Sequence, residues 1–415
     1  MASRGLDSRI LLTAGALVTL GLATLYSAGQ TEVPTEIAGI WRRQLGWIIL
    51  GLAVGVLVYR VSPRLLEWAT PFVYGVAVAL LILTLLVGTG AGTAAGTRSW
   101  LAIGGTRIGQ PAELAKLATI MMLARHLGGR RRAPQTLVEL LPPCAIVGVP
   151  FLLVGLQPDL GSAIVFLGML FVVLFWVGVP VRLLVLLASP LISLMLAFST
   201  WSWGVWIVAI TLVLLWARPY LVEGLVVWLG NVLMGTVALE LWRGLAPYQQ
   251  NRLLSFLNPE IDPRATGWNI IQSKVAIGSG GLLGKGFLQG TQKALAFLPA
   301  QHTDFIFSVL AEELGFLGVV VTMALFAALL TRLMWIAREA TDPFSSVLVF
   351  GITGLLFTHV VENVGMSVGL MPITGIPLPF FSYGGSFLLV SFVAIAMSLR
   401  IVREARSSYT GTPLS

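Results

Sequence analysis

Residues 299–315 read Pro-Ala-Gln-His-Thr-Asp-Phe-Ile-Phe-Ser-Val-Leu-Ala-Glu-Glu-Leu-Gly, and the chain stays largely apolar from there to residue 331. A run of this length can cross a bilayer as one helix, since a span needs roughly 20 apolar residues. Asp304 stands at its start, and Glu312 and Glu313 follow inside it. Carboxylates at membrane depth are costly and are usually paired or functional. The stretch therefore predicts a membrane-spanning helix with an important acid at its mouth.

The composition extends this prediction to the whole chain. Of 415 residues, 57% are hydrophobic and 11% are charged, whereas soluble domains carry about 25% charged residues. The first apolar run, from Ile10 to Tyr26, lacks a cleavage site and is expected to be retained. The single cysteine, Cys144, excludes an intrachain disulfide. We predict one integral membrane domain over residues 1–415, all α-helical and polytopic.

The distribution of charge indicates how the chain crosses the membrane. We identify twelve apolar segments, near 10–28, 45–61, 71–88, 111–127, 138–156, 162–179, 182–200, 203–217, 221–241, 305–331, 344–366 and 386–401. With the N-terminus inside, the short cytoplasmic loops hold 15 of the 26 basic residues, as the positive-inside rule requires. Both termini are then cytoplasmic, including a polar tail over 404–415. The net charge of +8 reflects this topology and does not indicate a nucleic-acid partner.

Two predicted loops on the outer side are long enough to carry function. One spans 88–109 and is rich in glycine, and the other spans 243–304. Structureless loops of the second length are uncommon, and its apolar content predicts short helices at the membrane interface. The segments within 203–241 lie close together and form a predicted hydrophobic hairpin. Whether that hairpin crosses the membrane fully is left open.

Several acidic residues are candidates for a site, each with a plainer alternative. Asp304 could simply cap the following helix. At 100° per residue, Ser308, Ala311 and Gly315 share nearly one face, which predicts a groove below the carboxylate. At least one of Glu312 and Glu313 is expected to meet a cation or a water-filled cavity.

A second pair of charges begins the segment 111–127. Glu113 and Lys116 are three residues apart and therefore neighbours on a helix surface. They form either a structural ion pair or part of the same cavity as Asp304. In the turn Gln157-Pro-Asp-Leu-Gly161, Asp159 is expected to cap the next helix.

Prolines and lysines supply further signals. Residues 371–386 contain three prolines and three glycines, so they cannot form a regular helix and are expected to fold back against protein. The four lysines are Lys116, Lys274, Lys285 and Lys293, three of them in the loop 243–304. Chance could explain this, or compact point charges could be needed to meet phosphate oxygens. Residues 278–285 lack the Walker spacing, which excludes a nucleotide loop.

Taken together, these residues resemble the SEDS family (shape, elongation, division, sporulation), and within it the RodA branch. The resemblance is carried by six motifs in order: Gln110-Pro-Ala-Glu-Leu-Ala-Lys116, Gln157-Pro-Asp-Leu-Gly161, Gln272–Gly281, His302-Thr-Asp-Phe-Ile-Phe307, Glu312-Glu-Leu-Gly315 and Ser382-Tyr-Gly-Gly-Ser386. Two departures are visible. Ala112 stands where members usually have serine, and the family's helical bundle has ten spans where we count twelve, the extra two being the 203–241 hairpin.

The resemblance implies a peptidoglycan glycosyltransferase of the bacterial cytoplasmic membrane, acting on its extracytoplasmic side during cell elongation. The implied substrate is lipid II, the undecaprenyl-pyrophosphate-linked disaccharide peptide. The implied partners are a class B penicillin-binding protein that crosslinks the glycan and the rest of the elongation machinery. Asp304 maps to the family's catalytic aspartate, and Glu113 with Lys116 maps to its intramembrane ion pair.

The remaining candidates surround these positions. Substrate or pyrophosphate binding is assigned to Arg98, Lys274, Lys285, His302, Ser382 and Ser386, and supporting roles to Gln157, Asp159 and Glu312. A divalent cation such as Mg²⁺ bridging the phosphates is left open, and no organic cofactor is expected. Two alternative functions remain: a lipid II flippase, and a non-catalytic scaffold for the penicillin-binding protein.

Overall fold

The computed structural model describes residues 6–32, 35, 37–90, 98–103, 106–217, 220–245, 247–257 and 266–410. Parts of both predicted outer loops and of the tail, including 91–97, 258–265 and 411–415, lie outside the described residues. The first half of the described chain forms α1 (Ser8–Ala28), α2 (Ile40–Tyr59), α3 (Pro63–Val87), β1 (Leu101–Ile103), β2 (Thr106–Gly109), α4 (Pro111–Gly128), α5 (Leu137–Leu156), α6 (Leu160–Val177) and α7 (Val181–Leu196). The second half forms α8 (Thr200–Ala217), α9 (Leu221–Gly244), α10 (Pro247–Leu257), α11 (Thr266–Ser279), α12 (Thr291–Ala294), α13 (Ile306–Glu339), α14 (Pro343–Val368) and α15 (Gly385–Thr410).

All twelve apolar segments predicted from the sequence are helical. Within the described residues, nine helices are long and apolar enough to cross a membrane. Two of the other three, α7 and α8, are apolar but shorter, and α4 carries Glu113, Lys116 and Arg125. The chain is a multi-pass, all-α membrane protein, and the predicted fold class is confirmed.

Helix α14 lies at the centre of the bundle. It packs against α4, α6 and α13, and 67% of its most apolar window is buried inside the protein, against 22% for α2 and α3. A span surrounded by protein can carry polar side chains, because neighbouring helices supply their partners. His359, Glu362 and Asn363 are all buried on this helix.

Helix α13 begins after Asp304 and is broken inside. Its N-cap position is Phe305, and no side chain caps it, so Asp304 is not the cap. Gly315 has φ 64° and ψ −165°, a conformation that favours glycine. A Cβ there would lie 2.2 Å from the backbone nitrogen of Gly284. The loop residues 282–284 therefore pack directly against the break in α13 at Gly315.

The groove predicted below Asp304 from the small residues of α13 is found in part. Ala311 and Gly315 do line an apolar cavity of about 240 Å³ with residues of the α11 region, but Asp304 and Ser308 are not among its lining residues in the described part of the chain. Ser308 is buried, and its hydroxyl lies 2.7 Å from that of Ser273.

The predicted hairpin over 203–241 consists of α8 and α9, and its main neighbour is α7. Asn231 of α9 joins all three helices. Its Nδ2 donates to the Ser189 hydroxyl at 2.8 Å, and its Oδ1 accepts from Trp206 Nε1 at 2.9 Å. Satisfied buried polar contacts of this kind bind helices to one another where lipid offers no partner.

The segment between α14 and α15 has no regular secondary structure, as its prolines predict. It runs from Gly369 to Gly384 and is largely buried. Because its backbone carbonyls need partners inside the protein, the side chains that satisfy them decide where the segment lies.

Candidate active site

Asp304 lies in a turn whose backbone is bound by residues distant in sequence. Tyr383 N donates to the carbonyl oxygen of His302 at 2.8 Å. The Ser382 hydroxyl donates to the carbonyl of Thr303 at 2.6 Å. Asn363 Nδ2 donates to the carbonyl of Asp304 itself at 2.9 Å. Three consecutive carbonyls are thus held by the 369–384 segment and α14, so the turn has one defined position.

The carboxylate of Asp304 is partly exposed and faces a cation. Gly375 lies next to both charges, since a Cβ built on it would lie 3.5 Å from Asp304 Oδ2 and 3.9 Å from Arg252 Nη1. Burial raises the pKa of Asp304 above its ordinary value, and the charge of Arg252 on α10 opposes that rise. Arg252 was not among the residues selected from sequence, although it lies in the loop 243–304 that was.

His302 lies beside Asp304. Burial lowers the pKa of its imidazole, which keeps it neutral at pH 7. Its ring centroid is 6.1 Å from that of Tyr383, and its Nδ1 has no hydrogen-bond partner within the described residues.

Glu113 and Lys116 form a buried ion pair in the first two turns of α4. Lys116 Nζ lies 2.8 Å from each carboxylate oxygen of Glu113, with 1% and 4% of the two side chains exposed. The ammonium also lies 3.1 Å from His359 Nε2. The ion-pair interpretation is confirmed, and His359 of α14 joins the pair.

Helix α14 connects this pair to the neighbourhood of Asp304. His359 and Asn363 are one turn apart, and they bind consecutive carbonyls of the 369–384 segment. His359 Nδ1 lies 3.1 Å from the Pro377 carbonyl, and Asn363 Nδ2 donates to that of Ile376 at 2.8 Å. That the pair and Asp304 line a single cavity stays a prediction.

The supporting residues join the starts of three helices. Asp159 caps α6 by accepting from Ser162 N at 3.1 Å, as expected, and its other oxygen accepts from Gln110 Nε2 at 3.0 Å. Gln110 N donates to the Ser386 hydroxyl at the start of α15. The buried Gln157 binds the Leu81 carbonyl at 2.9 Å.

Arg98 lies close to these residues. Its backbone N donates to the Gln157 carbonyl at 3.2 Å, and its side chain is exposed. Neither observation tests its assigned role at the pyrophosphate.

The lysines are used mainly inside the protein. Lys285 lies 2.7 Å from Glu312, and Lys293 lies 2.5 Å from Glu313. The expectation that at least one of these two acids meets a cation is therefore confirmed for both. Lys274 on α11 is exposed, and no hydrogen bond or ion pair to it is found among the described residues. The role of Lys274 at the pyrophosphate stays a prediction.

The sequence left a divalent cation open as a cofactor. In the described ranges, no group of three or more His, Cys, Asp or Glu side chains converges on one point. Mg²⁺ bound by protein and substrate usually needs one or two carboxylates together with phosphate oxygens. The participation of such an ion stays a prediction.

Comparison with known proteins identifies the family. The family model FTSW_RODA_SPOVE, described as "Cell cycle protein", matches residues 7–407. The chain is 36% identical to peptidoglycan glycosyltransferase MrdB of Escherichia coli (strain K12), over 97% of this chain and 95% of the relative. It is 35% identical to peptidoglycan glycosyltransferase RodA of Treponema pallidum (strain Nichols), over 95% of this chain and 97% of the relative.

Solved structures agree along the whole length. One is a peptidoglycan synthase complex, solved to show how polymerization and crosslinking are coordinated, with a TM-score of 0.71 and 31% identity over 97% of this chain and 98% of its own. Another is the rod shape determining protein RodA of Thermus thermophilus, with a TM-score of 0.62 and 29% identity over 96% of this chain and 97% of its own. The chain therefore belongs to the FtsW, RodA and SpoVE family of cell cycle proteins.

Proposed function

We propose that this protein is a peptidoglycan glycosyltransferase that polymerises lipid II during cell elongation. The observation that carries the proposal is the Asp304 carboxylate, partly exposed on a turn with a fixed backbone and facing Arg252 across Gly375. Two full-length relatives carry the name peptidoglycan glycosyltransferase. Their names supply the reaction class, and the geometry supplies a group able to perform it.

The chemistry needs one base and a stabilised leaving group. The sugar 4-hydroxyl of one lipid II attacks the anomeric carbon of the lipid-linked strand, forming a new glycosidic C–O bond. The bond from that carbon to the pyrophosphate breaks, and undecaprenyl pyrophosphate leaves. Asp304 accepts the hydroxyl proton, and a positioned general base contributes roughly 10²–10⁴-fold to the rate. Burial raises the pKa of Asp304, which strengthens it as a proton acceptor.

Positive charge on the same side of the protein would meet the pyrophosphate. Arg98 and Lys274 are exposed, and Lys285 keeps 26% of its side chain exposed despite its bond to Glu312. His302 would donate a hydrogen bond to the sugar or to a phosphate oxygen. A Mg²⁺ arriving with the pyrophosphate would neutralise part of its charge, and no step assigned to the protein depends on it.

The proposed setting follows from the charge distribution and from the relatives. Both termini lie in the cytoplasm, and Asp304 faces the opposite side of the bacterial cytoplasmic membrane, where lipid II is consumed. A class B penicillin-binding protein is the proposed partner. The similar solved complex, which coordinates polymerization with crosslinking, supports this pairing.

The test is polymerisation of preformed lipid II by purified protein with its penicillin-binding protein. Asp304→Asn removes the base at nearly constant shape, and we expect polymer formation to fall at least about 100-fold. The matched control is Asp342→Asn. Asp342 is the N-cap of α14, at the opposite end of that helix from Asn363, and asparagine caps a helix equally well. The control should retain the wild-type rate.

The same assay separates the alternatives. Polymer formation at the wild-type rate by Asp304→Asn would contradict the base assignment. No polymer from the wild-type pair, with lipid II scrambling in liposomes, would indicate a flippase. If the wild-type pair showed neither polymerisation nor scrambling, the result would indicate a scaffold.

A further inference from the structure

His359 is a fully buried histidine whose two ring nitrogens both have partners. It is 0% exposed. Its Nε2 lies 3.1 Å from Lys116 Nζ, and its Nδ1 lies 3.1 Å from the carbonyl oxygen of Pro377. The ring stacks on Phe387 of α15 with 4.0 Å between centroids and 9° between planes. Helices α4, α14 and α15 and the 369–384 segment thus meet at one imidazole.

These partners determine the protonation of the ring. A lysine ammonium can only donate and a backbone carbonyl can only accept. Nε2 must therefore be the acceptor, and Nδ1 must carry the hydrogen. One tautomer in one orientation satisfies both bonds, and the stacked Phe387 prevents the ring from tilting. His359 is a rigid link between an ion pair and a backbone.

The backbone on the far side of that link leads directly to the proposed base. Pro377 follows Ile376, whose carbonyl is bound by Asn363. Asn363 also binds the carbonyl of Asp304. Two residues before Pro377 is Gly375, beside which Asp304 Oδ2 and Arg252 Nη1 both lie. A shift of residues 375–377 would therefore move the backbone that lies next to the Asp304 carboxylate and the Arg252 guanidinium.

We propose that His359 is a positioning residue, which transmits the placement of the Glu113–Lys116 pair to residues 375–377 and so to the surroundings of Asp304. It does not touch the substrate. The proposal rests on the proposed glycosyltransferase activity and assigns the ion pair a role in it through a hydrogen-bonded connection. Displacements of about 1 Å at a catalytic group can cost roughly 10²-fold in rate.

Three substitutions dissect the link. His359→Asn places an amide near the Nδ1 position and can keep the bond to Pro377 while losing Lys116. His359→Gln reaches the Nε2 position and can keep an acceptor for Lys116 while losing Pro377. His359→Phe keeps the ring and the stack on Phe387 and loses both bonds. Each is assayed for lipid II polymerisation, with kcat and KM determined separately, and for thermal unfolding in detergent.

Because a link fails when either end is cut, we expect all three variants to lose a similar roughly 10- to 100-fold in kcat, with KM little changed. Lys116→Met alone should lower kcat by a similar factor. The double variant Lys116→Met/His359→Phe should have a kcat no lower than that of either single variant. The control His126→Phe changes a histidine on the last turn of α4, ten residues after Lys116, and should keep the wild-type kcat.

A role limited to filling the core predicts a different order. Phenylalanine, closest in shape, would then retain activity while asparagine lost it together with thermal stability, and this result would overturn the proposal. Multiplicative losses in the Lys116→Met/His359→Phe double variant would overturn it as well. Absence of polymer from the wild-type protein would instead count against the proposed function, so the two failures are distinguishable.

Discussion

At the residue scale, the pKa of Asp304 is set by two opposing influences. Burial disfavours its ionised form and raises its pKa above the ordinary 3.8, while Arg252 favours the ionised form and lowers it. A base acts only when ionised, so the polymerisation rate should fall as the pH drops through this raised pKa. The acidic limb of the pH–rate profile therefore lies above pH 3.8.

Removing the cation should move that limb in a known direction. Arg252→Gln takes away the charge that stabilises the carboxylate, so the pKa of Asp304 rises further and the limb shifts to higher pH. The measurement is kcat against pH for lipid II polymerisation. Arg243→Gln, at an exposed arginine paired with Glu240, serves as control and should leave the limb in place. A shift to lower pH in Arg252→Gln would show that the two side chains do not interact as described.

At the element scale, the break in α13 determines how the loop and the helix fit together. Helical residues 306–314 present Glu312 and Glu313 to lysines of the loop, and the chain changes direction at Gly315. The backbone nitrogens of Phe316 and Leu317 donate to the carbonyls of Gly281 and Leu282 at 2.9 and 3.1 Å. Amide groups freed by the break are thus satisfied by the loop, which buried backbone requires.

Gly315→Ala should be destabilising for two reasons. Alanine is disfavoured at positive φ, and its Cβ would collide with the backbone of Gly284. A strained backbone position costs of order 1–3 kcal/mol, measurable as a lower Tm in detergent. Gly148→Ala in α5, where a Cβ meets nothing within 4 Å, should keep or slightly raise the Tm. Equal effects of the two substitutions would contradict the described break.

At the scale of the whole molecule, buried charges tie distant parts of the chain together. Lys293 is fully buried between Glu313 of α13 and the C-terminal turn of α1, where it donates to the Ser27 carbonyl at 3.0 Å. The Ser27 hydroxyl also donates to Glu313 at 2.6 Å. The end of the long loop is therefore anchored to the first helix and to the helix after Asp304.

Lys293→Met should weaken that anchor strongly. Removing one partner of a buried ion pair leaves an uncompensated charge and costs roughly 3–5 kcal/mol, which thermal unfolding in detergent would detect. The double variant Lys293→Met/Glu313→Gln should recover much of the loss, because no lone charge then remains. Arg243→Met at the exposed pair with Glu240 should have no measurable effect. A double variant no better than Lys293→Met would show that the ion pair is not the source of the stability.

Much of the fold could be predicted from sequence because lipid imposes simple requirements. Apolar length identified twelve of the fifteen helices in the described part of the chain, and prolines and glycines identified the irregular segment before α15. The Glu113–Lys116 pair was predictable because its partners are three residues apart on one helix. Contacts across helices were not, since nothing local pairs Arg252 with Asp304 or His359 with Lys116.

The sequence by itself determined that this is a polytopic helical membrane protein of the FtsW, RodA and SpoVE family, and it singled out Asp304, Glu113 and Lys116. Hydrophobic length, charge placement and motif order are properties of the chain alone. Only the tertiary structure decided that two loop lysines neutralise Glu312 and Glu313, that α13 is broken at Gly315, and that His359 and Asn363 connect the ion pair to the Asp304 turn. The physical reason is that buried polar groups must be satisfied, and packing decides which partner, near or far in sequence, is within reach.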